Sequence, residues 1–369
     1  MACAVGTSCV SDLPSRSPEF WAERQLGPTD GRLMERTLPL LLLLLLLSWG
    51  AAVPVRAAVF QEDFDHPPLA RGWRVYGEAS LFSWSEASRW LEVTWDSGRS
   101  NSFFYRPLGT VLTRQDDFNL TFDLRLGDAR IGLDPTKPYT FELAVGFIHL
   151  ASATSADFLR GKRNGTRNIV EFDYFPDFAQ FGATVAATIV SSNSLFRYSH
   201  NFPLELTTND LFRITLSYAS LTQALSTRIT RNGEPFQPIE EVVLDPAFSD
   251  FQVDTLAISS YSDAQGDGSL LAHGTIDRIL LTLPDPPVGA VAGSFADHGW
   301  QVAFGSQLNW VYALERSVDL QTWRALSPRA AGNGGQLALV DTDPSAGKGF
   351  YRVRAERPSA TSGKAGGLK

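Results

Sequence analysis

The chain is nearly without cysteine. Its 369 residues include two, Cys3 and Cys9, and both precede the most hydrophobic run in the sequence. Beyond that run no thiol remains, which excludes disulfides, thiolate metal sites, a cysteine nucleophile and a lipid-bearing cysteine from the rest of the chain. Histidine is sparse: His66, His149, His200, His273 and His298 are scattered, with no pair at metal-ligand spacing. Positive charge is in deficit, with 32 Lys and Arg against 40 Asp and Glu, a formal net charge of -8. That balance argues against nucleic acid or anionic lipid as a principal partner. No Gly-x-Ser-x-Gly elbow and no phosphate loop occur. Convincing helical segments are almost absent too.

Leucine is what the sequence has in excess. Leu40 to Leu47 is unbroken within the apolar stretch Leu38–Val55, with Arg36 before it and Val55-Arg56-Ala57 after it. A basic residue, an apolar core and a small-residue end predict a signal peptide over 34–57, cleaved after Ala57. The run is nearly long enough to span a bilayer as a permanent anchor, but Pro54 and the Ala-rich end favour cleavage. Met34 stands at its head, so 1–33 reads as a non-structural leader, with the true start expected at Met34. The expected product is secreted, periplasmic or displayed at the cell surface, with no membrane association once the signal is removed.

From Val59 the pattern changes to short runs rich in aromatic and β-branched residues, broken by Pro, Gly, Asn and Asp. WLEVTW, FNLTFDLRL, FRITLSYAS and TIDRILLTL alternate as half-buried strands do, and Asn232-Gly233 marks a hairpin turn. Tyr139–Ala151 is more continuously apolar, as a central strand covered on both faces would be. About a dozen strands over 59–283 predict an all-β fold, a jelly-roll antiparallel sandwich. Residues 284–293 are Pro- and Gly-rich and read as a linker. Residues 294–357 carry enough aromatic content for a small β-sandwich-like module, and 358–369 read as a disordered tail.

The stretch of greatest interest is Asn168–Asp177, NIVEFDYFPD. On a strand, Val170, Phe172 and Tyr174 point one way and Glu171, Asp173 and Phe175 the other. Two carboxylates then lie side by side on one face of a sheet. They can hold a cation, do acid–base chemistry on a sugar, or line a wet surface.

On these residues, 59–283 resembles the concanavalin A-like lectin/glucanase superfamily, with a laminin G-like jelly roll. VEFDYFPD is similar to the legume-lectin metal strand. The resemblance implies that Glu171 and Asp173 take the places of metal-binding carboxylates, that Phe175 offers a backbone carbonyl, and that Asp177 replaces an asparagine. ELAVGF is similar to the strand carrying a sugar-contacting aspartate, with Glu142 loosely in register. Such lectins also need a further Asp and a His, and Phe178–Thr184 (FAQFGAT) supplies neither. Two or three carboxylates and one carbonyl are too few for a divalent ion unless other loops contribute. Otherwise Glu171 and Asp173 face a solvated groove or pair with a nearby arginine.

The same strand resembles the catalytic strand of laminarinase-type glycoside hydrolases, in which Glu171 and Asp173 would fill two of three acidic places. Phe175 or Pro176 stands at the third, so the acid that protonates the leaving oxygen is missing. VFQEDFDHPPLARGW and HGTIDRILL are similar to the opening and closing strands of jelly-roll sugar-binding domains, which implies Asp277 as ligand to a structural Ca²⁺. YALERSVDLQTW and FYRVRAE are similar to a carboxy-terminal β-domain frequent in secreted proteins of Verrucomicrobia and related bacteria, and the whole mature chain resembles proteins of that group.

Three further stretches carry weaker expectations. RGKRNGTRN (Arg160–Asn168) reads as a solvated basic loop, and DAQGDGS (Asp263–Ser269) as a turn that could cradle Ca²⁺. Trp84, Trp90 and Trp95 are core residues or sugar-stacking platforms. The expectation is non-catalytic binding of a polysaccharide or glycoconjugate through a groove onto which Glu171 and Asp173 open. The alternatives are a hydrolase or lyase with a degenerate strand, and a structural or adhesion component of the envelope without a glycan ligand.

Overall fold

The computed structural model describes residues 58–160, 165–178, 181–237, 239–296, 299–326, 328–344 and 349–358. The leader, the signal segment, both cysteines, His298 and the tail from 359 lie outside the described residues.

Sixteen strands build an antiparallel sandwich. In chain order they are β1 (Ala58–Glu62), β2 (Arg74–Tyr76), β3 (Phe82–Trp84), β4 (Leu91–Asp96), β5 (Ser102–Leu112), β6 (Phe118–Ile131), β7 (Leu143–Ile148) and β8 (Ile169–Phe178). There follow β9 (Gly182–Val190), β10 (Phe196–Asn201), β11 (Phe212–Ala219), β12 (Ala224–Arg231), β13 (Glu234–Phe236), β14 (Val242–Val243), β15 (Val253–Ser260) and β16 (Leu270–Leu283). A nine-stranded sheet runs β13-β12-β11-β6-β16-β4-β3, with β1 on β16 and β14 on β12. A seven-stranded sheet runs β10-β9-β8-β7-β15-β5-β2. One helical turn, α1 (Leu150–Ala153), interrupts the path from β7 to β8.

Alternation in the sequence becomes alternation in burial. In β4 and β11 every second residue is buried, so each has one face on the core. Every residue of β7 is buried, which requires cover on both faces. This continuously apolar strand is shorter than the sequence suggests, because Tyr139–Glu142 lies before it and α1 follows it. The inner faces meet in one apolar core; Phe122 of β6 and Phe172 of β8 meet edge to face with ring centroids 5.9 Å apart.

Beyond the sandwich, β17 (Val288–Ala296), β18 (Gly299–Ser306) and β22 (Gln336–Asp341) form a three-stranded sheet. β19 (Val311–Ser317), β20 (Arg324–Ala325), β21 (Ala330–Ala331) and β23 (Phe350–Glu356) form a second small sheet. These strands enclose their own core around Phe304, Trp310, Tyr312 and Leu314. β17 thus runs through part of the Pro- and Gly-rich stretch read as a linker. Arg357, just after β23, stacks 4.2 Å over Trp310, pairs with Asp116 and donates to the Val111 carbonyl.

Candidate functional site

β8 displays its residues as its alternation demands. Val170, Phe172 and Tyr174 enter the inter-sheet core, while Glu171, Asp173 and Phe175 project from the opposite face of the seven-stranded sheet. The neighbours opposite the acidic pair are small. Gly146 and Ala144 of β7 pair with Glu171 and Asp173, and on the other side Thr188 and Ala186 of β9 do the same. A Cβ at Gly146 would stand 2.4 Å from the Val170 carbonyl oxygen and 2.6 Å from the Glu171 Cβ. Small residues on both flanks leave a hollow over the two acids.

Arg160 fills that hollow. Its Nε donates to Glu171 Oε1 at 2.9 Å, and a terminal nitrogen lies 2.7 Å from the same oxygen and 3.1 Å from Asp173 Oδ1. Glu142, immediately before β7, comes within 2.9 Å of Arg160 Nε. The Nε–H points to Glu171, however, so Glu142 Oε1 gains proximity without a directed hydrogen bond. Tyr261 donates to Glu171 Oε2 at 2.8 Å, and Thr188 to Asp173 Oδ2 at 2.6 Å. The arrangement corrects the sequence reading: Glu171 is 0% exposed and Asp173 1%, so the acidic pair does not open onto solvent. Arg160, expected in a solvated loop, is buried. The hollow admits a guanidinium because unpaired carboxylates could not be buried there.

One arginine cannot neutralise three carboxylates. Burial pushes the Glu142 carboxyl up to about 8; Arg160 pulls against the rise, and the charges of Asp173 and Asp263 add to it. Burial also raises Glu171 well above the usual carboxylate range and raises Asp173, with Arg160 again opposing. For Arg160 burial alone would favour deprotonation, but the three carboxylates overrule it and the guanidinium stays charged. The cluster therefore balances its charge by keeping protons on acids.

The same geometry tests the metal reading. A cation already stands between Glu171 and Asp173, and it is Arg160. Asp177, at the end of β8, is exposed and takes no part in this cluster. Asp277 lies on the other sheet, where it pairs in register with Asp123 and accepts from the Arg278 amide at 2.7 Å. Asp123 is gripped by Arg213 through two bonds of 2.7 and 3.1 Å, and Arg278 stands 3.7 Å away. Arginine again occupies the cation's place. Among the described residues no group of three or more His, Cys, Asp or Glu side chains is placed to hold a metal ion. The residues at these two positions do not fit the implied Ca²⁺. In the 263–269 turn the Asp263 carboxylate accepts from the Gly268 amide at 2.6 Å, closing the loop on itself.

A hydrolytic role for Glu171 fails on access. A nucleophile must reach the anomeric carbon, and Glu171 is covered by Arg160 and Tyr261. The tryptophans divide: Trp95 is core, Trp84 donates to the Phe64 carbonyl at 2.7 Å, and Trp90 is exposed on β3–β4's sheet.

Beside the cluster, on the same face, runs a groove of about 570 Å³. Its floor is Asp173, Thr184, Ala186 and Thr188, and its inner end is Glu142 with Arg160. Its wall is aromatic. Phe196, Tyr198 and His200 alternate along edge strand β10, and Phe202 follows at the same spacing. His200 stacks on Phe202 at 5.2 Å, and Phe181 meets Phe202 edge to face at 4.6 Å. Tyr198 is 62% exposed. The sequence reading brought together Glu142, Glu171 and Asp173 but missed this row. The signal was available in FRYSHNF, an aromatic or His at every second position.

No protein-family model and no curated protein sequence matches the chain. Solved structures are similar to it. Peanut lectin with a 9mer peptide has 14% identity and a TM-score of 0.40, covering 62% of this chain and 99% of that one. Lectin UEA-II complexed with galactose has 15% identity and a TM-score of 0.40, covering 62% and 99%. A Bacillus subtilis protein of unknown function with a galectin-like fold has 13% identity and a TM-score of 0.37, covering 63% and 99%. Neither a family nor a ligand follows from likeness at this level; what the groove can hold is a matter of its own side chains.

Proposed function

We propose that this is an exported, non-catalytic protein that binds a polysaccharide or glycoconjugate in the groove beside β8–β10. The observation that supports it is the aromatic row Tyr198, His200 and Phe202 with Phe181, set over a floor of hydroxyl and carboxyl groups. Sugar rings present apolar C–H faces and polar edges. An aromatic wall takes the faces, and the exposed Tyr198 hydroxyl and His200 imidazole can meet the polar edges. Glu171 has no part in binding; it holds Arg160 in place. The acidic pair thus shapes the end of the groove instead of gripping the ligand.

The test is retardation of the purified protein in polysaccharide gels, together with a glycan array run with and without calcium. Retention by at least one glycan is expected, weakened about fivefold in Tyr198→Ala or Phe181→Ala, since each stacked ring contributes on the order of 1 kcal/mol. If every glycan fails to retain the protein, the reading is wrong. Release of reducing sugar that survives in Glu171→Gln would place an enzyme at some other site.

A further inference from the structure

A second concavity lies where the small β-module meets the sandwich. It is a cleft of about 640 Å³, larger than the groove beside β10. Small-ligand sites occupy about 300–1,000 Å³ and gather at such junctions. The sandwich wall carries Gln115 and Asp117, just before β6, and Thr282 near the end of β16. The other wall carries Asp285, from the segment joining the two parts, and the loop from Gln307 to Asn309 between β18 and β19. Neither part forms the cleft alone.

The loop is held from both sides. The backbone N–H of Gln307 donates to the Tyr312 hydroxyl at 2.7 Å, and that hydroxyl donates to the Pro287 carbonyl at 2.6 Å. The Asn309 carbonyl accepts from Arg357 at 3.4 Å, and Arg357 also grips Asp116 and the Val111 carbonyl of the sandwich. Both walls are therefore fixed before a ligand arrives, which lowers the cost of binding.

Within this frame the polar side chains are unused. Among the described residues the side chains of Gln115, Thr282, Asp285, Gln307 and Asn309 make no hydrogen bond and no ion pair. Asp117 uses one oxygen, accepting from the Ser220 amide and hydroxyl at 2.7 Å each. Gln115, Asp117 and Asn309 are exposed, and Thr282, Asp285 and Gln307 half-buried, so a ligand reaches all of them. The groove beside β10 differs: there Thr188 is bonded to Asp173, and Thr184 to the Gly182 carbonyl.

We propose that the junction cleft is a second binding site, which takes a neutral, hydroxyl-rich oligosaccharide between the two walls. Side-chain amides and hydroxyls donate and accept, as sugar hydroxyls do, and a carboxylate accepts from adjacent hydroxyls. Asp117 and Asp285 have no arginine or lysine partner among the described residues, so an anionic glycan meets repulsion there. The neutral groups outnumber these two acids, which favours a polyol over a basic peptide. The carboxy-terminal module thereby acquires a role, since it supplies half of the site. This inference does not depend on the groove, whose residues are different.

The probes are neutral hexasaccharides of glucose, mannose and N-acetylglucosamine. They are titrated calorimetrically into the unaltered protein and into a variant carrying Tyr198→Ala and Phe181→Ala, which disables the groove. At least one hexasaccharide is expected to bind the groove-disabled protein. Asp285→Ala should then weaken it about tenfold, as loss of hydrogen bonds to a charged group does, and Gln307→Ala or Asn309→Gly about fivefold. Asn309 has φ of 63°, so glycine there removes the amide and keeps the left-handed backbone. Asp285 and the loop are altered separately, so a variant that fails to fold leaves the other to decide. Binding to the groove-disabled protein that ignores all three substitutions overturns the inference. So does binding that only the unaltered protein shows, which leaves the groove reading intact. Tighter binding of trilysine or hexagalacturonate than of any neutral hexasaccharide assigns the cleft to a charged ligand and overturns it as well. Failure of every hexasaccharide with both proteins removes the inference, and the groove reading then stands or falls on the glycan array.

Discussion

The two sheets each carry a cluster of carboxylates and arginines, and the two are built differently. On the seven-stranded sheet, Glu142, Glu171 and Asp173 share Arg160, and all four are buried. On the nine-stranded sheet, Asp123 and Asp277 face Arg213 and Arg278, and both arginines are largely exposed. Among the described residues, arginines match carboxyl groups one for one in the second cluster and not in the first. Burial raises Asp277 as well, but water and two guanidinium groups are at hand there. The lesson is that arginine can stand where a resemblance implies a metal ion, and that the count of arginines then decides whether protons must be retained.

Removing Arg160 should break the comparison most severely. Arg160→Ala leaves three carboxyls buried without a counter-charge, a loss of about 3–5 kcal/mol of stability. Arg213→Ala should cost about 1 kcal/mol or less, because Arg213 is half exposed and Arg278 remains beside Asp123. Denaturant unfolding compares them; equal losses would mean that the buried cluster contributes no more than the exposed one. The Arg160→Ala deficit should also shrink in acid, where the carboxyls are neutral.

Gly146→Ala comes next. The added methyl meets the β8 backbone at Val170 and Glu171 and should cost about 1–3 kcal/mol by overpacking. A wild-type melting temperature for this variant would show that the hollow under Arg160 is looser than its contacts imply.

A smaller effect concerns pH. A carboxyl raised by folding binds its proton more tightly in the folded state, so the unfolded chain holds fewer protons between the two values. Stability from Glu142 is complete below its ordinary value of 4.5 and is lost as pH rises through about 8. Melting temperature should fall across that window, and less steeply in Glu142→Gln. A melting temperature that rises across the window because of Glu142 would contradict the retained proton.

The smallest expected effect is none. Asp277→Ala should leave melting unchanged by a chelator, since arginines surround Asp123 and Asp277. Chelator-sensitive melting that this substitution abolishes would restore the structural Ca²⁺.

Much of the scaffold was legible before any coordinates. Period-two alternation placed Val170, Phe172 and Tyr174 against the opposing sheet, and Glu171, Asp173 and Phe175 away from it. The continuous apolar character of β7 announced a strand covered twice. Arg160 was visible only as one member of a basic loop, and pairing of the acids with a nearby arginine was one alternative among several. The aromatic row of β10 went unread, although its spacing is as regular as that of β8.

What the sequence determined alone is local: which residues extend, which side chains share a face, and that two acids stand together on β8. What covers a face depends on chain returning from elsewhere. Arg160 reaches Glu171 from eleven positions earlier in the sequence, and Tyr261 from ninety positions later. Strand pairing set β10 beside β9, so that its exposed aromatic row forms a wall beside the small residues of β9. Alternation is fixed by backbone geometry, whereas cover is a competition among distant segments to neutralise buried charge, and only the folded chain resolves it.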